Sequence, residues 1–155
     1  MGIARIRDGL TAYEATGARS GTTLSLALLA EALALAGKID EGIAALDDAL
    51  AKAAVSGVKG WNAEIHRLRG ELTARLPHPD PAKAEESFRT ALAIAREQGT
   101  RGYELRAATS LARLWREQGR RGEACDLLAP LYSSFTEGFD TADLKDAKRL
   151  LDQLA

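Results

Sequence analysis

The sequence predicts an all-α fold, a right-handed superhelix of antiparallel helical hairpins closed by a capping helix at its C-terminal end. A turn motif recurs between apolar, Ala-rich stretches, at 36–42, in a looser form at 80–84, and at 118–124. The small residue after each turn is Gly42, Ala84 and Ala124, which gives spacings of 42 and 40 residues. A repeat of this period is typical of stacked hairpins, each of which buries its apolar face on its neighbours.

The composition favours helices and excludes several classes of function. Aromatic residues make up only 5% of a chain that is 46% hydrophobic, so Ala and Leu must supply most of the packing. A net charge of −1 argues against non-specific binding of nucleic acid. No apolar run is long enough to span a membrane, and a single cysteine, Cys125, fits a reducing compartment. We therefore expect a cytoplasmic protein that contacts neither nucleic acid nor a membrane.

Four helices are predicted in the first half of the chain. Each has apolar residues at intervals of three and four, and each ends near a glycine or a loop. They run from about Ile3 to Thr16, from a cap at Thr22 or Thr23 to Ala36, from a cap at Asp40 to Gly57, and from about Gly60 to Leu76.

Four more helices are predicted in the second half. The first of them starts at Pro81, with Asp80 as its cap, because proline is favoured at the first helical position. It ends at Gln98 and Gly99, where glycine accepts the left-handed backbone of a helix end. The remaining helices span about Gly102 to Gln118, Arg121 to Phe135 with Pro130 inside, and Thr141 to Leu154.

These helices divide the chain into five segments. Residues 1–19 form an orphan helix, the second helix of a preceding repeat, and residues 20–58 form the first complete hairpin. Residues 59–99 form a hairpin with a long turn, and residues 100–136 form a third hairpin. Residues 137–155 cover the end of the stack as a capping helix, because an array of hairpins needs a polar outer face there.

Large and small residues alternate at equivalent points of the three hairpins. They are Leu26, Leu29, Ala30, Leu33, Gly42, Leu46 and Ala49, then Gly70, Ala84, Phe88 and Ala91, then Ala108, Leu111, Ala112, Trp115, Ala124, Leu128 and Leu131. This pattern resembles the tetratricopeptide repeat (TPR) family. The chain departs from the family by a longer turn in the second hairpin and by Leu131, where a small residue is usual.

A closer resemblance lies in three runs of sequence, at 61–72, 104–115 and 135–144. They are similar to the C-terminal repeat region of large bacterial signalling proteins. Those proteins carry a class III nucleotidyl cyclase or a DNA-binding domain, followed by an ATPase module. The resemblance implies that this chain is the tail of such a regulator, without residues of the cyclase or the ATPase.

The residues that could form a nucleotide site, a metal site or a catalytic site are better explained as ordinary structural residues. The segment 17–23 is similar to a phosphate-binding loop, but it lacks the lysine and its glycine spacing is one residue short. His66 and His78 lie on different segments, and Cys125 has no histidine near it in sequence. We therefore expect no catalytic residue, no metal ion and no cofactor, and we do not expect an enzyme.

The first helix of each hairpin is predicted to line a concave groove. The candidate ligand-binding residues there are Glu31, Glu64, Arg67, Glu71, Arg106, Arg113 and Arg116. The groove would grade from apolar and acidic to basic, and its guanidinium groups could hold an acidic peptide or a carboxylate. Alternatively, Arg67 with Glu71, and Arg113 with Glu117, could satisfy each other as pairs four residues apart.

Two functions follow from these predictions. The first is a protein-interaction or signal-sensing module that binds a peptide, another domain of a larger parent protein or a small effector in the groove. The alternative is self-association as a homodimer. Ile3, Ile6, Leu10 and Tyr13 of the orphan helix would be exposed where an earlier hairpin should pack, and a second copy could cover them.

Overall fold

The computed structural model describes residues 2–155, and these residues form eight α-helices without a strand. The predicted all-α class is therefore confirmed. None of the helices within this range is long and apolar enough to cross a membrane. The helices are α1 Gly2–Ala15, α2 Thr22–Leu35, α3 Ile39–Ser56, α4 Asn62–Ala74, α5 Pro81–Gln98, α6 Arg101–Glu117, α7 Arg121–Ser133 and α8 Ala142–Leu154.

Several helix ends match the sequence signals. Asp80 caps α5, because its carboxylate accepts the backbone N–H of Lys83 at 3.2 Å and Pro81 begins the helix. Gly57 ends α3 with φ +75°, and Gly99 ends α5 with φ +67°, a left-handed conformation that glycine adopts without strain.

Two predicted caps are wrong. The residue before α2 is Gly21 and the residue before α3 is Lys38, and neither side chain caps its helix. Thr22 is instead buried in the first turn of α2. Asp40 lies in the first turn of α3, where a carboxylate interacts favourably with the positive end of the helix dipole without a capping hydrogen bond.

The helices pack in two rows. Consecutive helices contact each other along the chain. In addition, α2 contacts α4, α4 contacts α6, and α6 contacts α8. Within residues 2–155, the backbones of α1, α3, α5 and α7 do not contact one another, and only side chains join α1 to α3. The even-numbered helices therefore form a continuous layer, in which residues about 40 positions apart lie side by side.

Two glycines allow close approach between helices. A Cβ on Gly42 would lie 3.1 Å from the backbone oxygen of Ala30 and 2.9 Å from Leu72 Cδ1. A Cβ on Gly70 would lie 2.6 Å from the ring of Phe88. Because real Cβ atoms do not approach this closely, both positions hold glycine so that α2 and α3, and α4 and α5, can pack tightly.

The apolar residues of α1 are less exposed than the sequence predicts. Ile3, Ile6 and Leu10 are partly buried and pack against the core formed by α2, α3 and α4. The hydroxyl of Tyr13 accepts the backbone N–H of Gly21 at 3.0 Å. The reason is that the turn after α1 lets it fold back on α2, so these residues have an apolar partner within the chain, and self-association through them stays a prediction.

Candidate functional site

A polar cavity of about 200 Å³ lies where α4, α6 and α8 meet. We call it the polar cavity. These three helices are neighbours in one layer, and residues spaced by three, four or seven positions share a helix face. Its lining consists of Arg67, Arg106, Thr109, Ser110, Arg113, Asp143 and Asp146.

Glu64 and Arg67 form the α4 side of this region. Arg67 donates from Nε at 2.9 Å and from Nη2 at 2.7 Å to the two carboxylate oxygens of Glu64, which is only 8% exposed. Nη1 of Arg67 also lies 3.2 Å from Glu71, whose carboxylate accepts the Ser110 hydroxyl at 2.7 Å. The predicted pair of Arg67 with Glu71 is therefore formed, within a larger network.

Electrostatics keep the half-buried Arg67 charged. Burial alone lowers the pKa of the Arg67 guanidinium, because it disfavours the charged form. The hydrogen bond and charge of Glu64, with the charges of Glu71 and Glu31, outweigh burial and raise that pKa above its ordinary value. Arg67 is therefore a permanent cation whose charge its own helix already neutralises.

Arg106 joins three helices. From α6 it donates through Nη1 to Glu64 of α4 at 2.8 Å and through Nε to Asp143 of α8 at 3.2 Å. Its side chain is 39% exposed, against 10% for the side chain of Glu64. Arg106 is thus fixed at two atoms while the rest of its guanidinium faces the polar cavity.

Arg113 and Arg116 contact α8. Nη2 of Arg113 donates to Asp146 at 2.8 Å, and Arg116 donates to Gln153. The predicted pair of Arg113 with Glu117 is wrong, because no ion pair joins them in the described structure. α8 packs on α6 and supplies the carboxylate of Asp146, which cannot be foreseen from the sequence of α6 alone.

Two of these guanidinium groups keep most of their donors free. A guanidinium has five N–H donors. Arg106 uses two of the five and Arg113 uses one of the five in hydrogen bonds to described residues. Three donors of Arg106 and four donors of Arg113 therefore remain for water or a ligand, in a geometry that matches a carboxylate.

The expected basic end of the groove is only partly present. Arg106 and Arg113 do lie together, but Asp143 and Asp146 on α8 offset their charges. Glu31 lies on the exposed surface of α2, outside the polar cavity.

Sequence reasoning overlooked Ser110, Asp143 and Asp146. The two aspartates are three residues apart on one face of an amphipathic helix, a spacing that indicates a shared neighbour.

The other candidates from the sequence stay apart from this site. His66 is half-buried, and burial, followed by the charge of Arg69, lowers the pKa of its imidazole. His78 is exposed in the turn before α5, and Cys125 is a half-buried thiol on α7. The polar cavity contains none of them.

Comparison with known proteins gives a similar sequence but no matching family. No protein-family profile matches the chain. An uncharacterized protein of Rhizobium meliloti (strain 1021) is 34% identical to it over 113 residues, which cover 73% of this chain. The chain spans 11% of the length of that relative, so the similarity concerns one segment of a much longer protein.

Proposed function

We propose that this chain is a non-enzymatic interaction module, a TPR-like right-handed superhelix that binds a carboxylate-bearing peptide or neighbouring domain in the groove along α2, α4, α6 and α8. The observation that carries the proposal is the pair of guanidinium groups, Arg106 and Arg113, that converge on the polar cavity with seven N–H donors between them unused by described residues.

The packing order supports the superhelical part of the proposal. The first helices α2, α4 and α6 pack in succession, and α4 and α6 also pack on the second helix of the preceding hairpin, while the backbones of the second helices do not contact one another. Gly42, the small residue after the first turn motif, lies against the backbone of Ala30. Both features are those of an array of hairpins, which leaves one extended surface for a ligand.

The groove also has an apolar end. Leu28 is 50% exposed and Leu35 is 86% exposed on α2, and Glu31 lies between them at helical spacing. The charge of Glu31 acts on Arg67, so this face adjoins the α4 side of the polar cavity. A ligand with apolar residues followed by an acidic residue would match both ends.

The aspartates on α8 set how strongly a ligand must bind. Asp143 and Asp146 occupy part of the hydrogen-bonding capacity of Arg106 and Arg113. A ligand carboxylate must add to these contacts or displace them, which disfavours weak anions and gives selectivity.

The similarity to a segment of a longer Rhizobium meliloti protein supports a module within a longer protein, which we propose is a regulator. There, occupation of the groove would shift the population of states of an output domain.

Selection of displayed random peptides against the purified chain tests the proposal. We expect enriched peptides that carry Asp or Glu beside apolar residues. Arg113→Gln should weaken their binding about tenfold or more, because a hydrogen bond to a charged group contributes about 1.5–3 kcal/mol. Arg7→Gln is the matched control, since it removes one arginine from an exposed ion pair between α1 and α3, away from the polar cavity.

Two results would contradict the proposal. One is the absence of any enriched sequence. The other is enrichment of peptides that bind Arg113→Gln as well as they bind the wild type.

A further inference from the structure

A second cavity, of about 440 Å³, lies in the other layer of helices. It is bounded by the last turns of α1 and α3 and by the turn that joins α1 to α2. We call it the α1–α3 cavity. None of its lining residues belongs to the polar cavity, so it is a separate site.

The packing of α1 explains why this space exists. The backbone of α1 contacts α2 but not α3. Two ion pairs bridge the gap, Arg7 with Glu41 at 2.9 Å and Glu14 with Lys52 at 2.5 Å. Side chains therefore hold the two helices at a distance, and the space between their C-terminal ends stays open.

The cavity wall is mostly apolar, with one unused polar group. Ala18, Ala51 and Val55 line it, and Val55 is 82% exposed, unusual for a branched apolar side chain. Thr22 lines it too but is only 5% exposed, and its hydroxyl forms no hydrogen bond with another described residue. The hydroxyl oxygen itself is not fully buried, so a ligand or an ordered water can reach it and complete its hydrogen bonding.

The rim of the cavity carries two cations, Lys52 and Arg19, of which one is already neutralised. Lys52 pairs with Glu14 at 2.5 Å and with Asp48 at 3.1 Å. The hydrogen bond with Glu14 raises the pKa of Lys52, so the lysine stays charged. Arg19 forms no ion pair with any residue that the structure describes. An anionic group is therefore the ligand chemistry that complements the rim.

We propose that the α1–α3 cavity binds a small molecule with an apolar ring system and one anionic group. The ring system would lie against Ala51 and Val55, a polar atom would bond to the Thr22 hydroxyl, and the anionic group would pair with Arg19. Its volume lies within the range of small-molecule sites, and its apolar wall with few polar groups is typical of them.

Two fluorescent probes that differ in charge test the proposal with the full chain. Anilinonaphthalene sulfonate has an apolar ring system and one sulfonate, and N-phenylnaphthylamine has the same rings without the anion. We expect saturable binding of the sulfonate at one site, at least tenfold tighter than binding of the neutral probe.

Substitutions of residues that line the cavity show whether the sulfonate probe binds there. Ala51→Glu and Ala51→Gln add similar volume, but only the first adds a negative charge, so Ala51→Glu should weaken the sulfonate probe more. Arg19→Gln should weaken the sulfonate probe about tenfold and leave the neutral probe unchanged. Phe139→Gln is the control, because Phe139 is a large apolar side chain that is 46% exposed and lines neither cavity.

Several outcomes would overturn the proposal. Equal affinity for both probes would show that the anionic group does not contribute to binding. Loss of binding in Phe139→Gln equal to the loss in Ala51→Glu would show non-specific adsorption. Light scattering that reveals a dimer, abolished by Val55→Gln, would make a second copy of the chain the occupant of the cavity.

Discussion

Replacement of Gly70 by alanine tests how tightly α4 and α5 pack. The added Cβ would lie 2.6, 2.7 and 3.0 Å from three ring atoms of Phe88, which is only 2% exposed. Carbon atoms in contact are normally about 3.5–4.0 Å apart, so the ring or the helix must move by about 1 Å. Forcing a methyl group into a packed core costs about 1–3 kcal/mol.

The intrinsic preference of alanine for helices acts in the opposite direction. Alanine in a helix interior is about 1 kcal/mol more favourable than glycine. Gly70→Ala should therefore lower the free energy of unfolding by about 0–2 kcal/mol. Gly9→Ala is the matched control, because Gly9 lies inside α1 with nothing within 4 Å of an added Cβ. It should raise the free energy of unfolding by up to about 1 kcal/mol.

Urea denaturation followed by circular dichroism measures both variants. The difference between them isolates the cost of overpacking, because the helix preference is common to both. We expect a difference of about 1–3 kcal/mol, and Phe88→Leu combined with Gly70→Ala should recover part of it. Equal effects of Gly70→Ala and Gly9→Ala would refute the close packing of α4 on α5.

Two further predictions concern charged groups. Burial lowers the pKa of His66, so the unfolded chain binds a proton more readily, and stability should fall as the pH drops below about 6.5. His66→Gln should reduce the change in urea midpoint between pH 7.5 and pH 5.5. If the variant keeps the same pH dependence as the wild type, groups other than His66 cause that dependence. Glu85 accepts from Arg89 at 2.8 Å and from Arg120 at 2.9 Å, so Glu85→Gln should cost about 1–2 kcal/mol in thermal or urea denaturation. Glu86→Gln, at an exposed neighbour, should change stability by less than about 0.5 kcal/mol, and equal losses would contradict this account.

Helix number and helix ends could be predicted well from the sequence. Apolar periodicity and residues such as Pro81 and Gly99 act locally, so their effect is visible without knowledge of tertiary packing. The predicted caps at Thr22 and Asp40 were wrong because a good capping residue one or two positions inside a helix looks the same in sequence as one at its start.

Contacts between distant helices could not be predicted in the same way. The predicted groove residues Glu64, Arg67 and Arg106 do meet, because the repeat period aligns α4 with α6. Asp143 and Asp146 were overlooked because α8 lies outside the repeat, and its position on α6 depends on packing rather than on period. The α1–α3 cavity likewise depends on a gap between helices that local patterns do not specify.

The affinity of a selected acidic peptide for paired variants tests the proposed groove most directly. Calorimetric titration would compare the wild type with Arg113→Gln and Asp146→Asn, which remove the two partners of one 2.8 Å ion pair. If Arg113 binds the ligand, affinity should fall in Arg113→Gln and rise in Asp146→Asn, because the second change frees the guanidinium. A fall of similar size in both variants, or no change in either, would show that the pair only fastens α8 to α6 and would contradict the account.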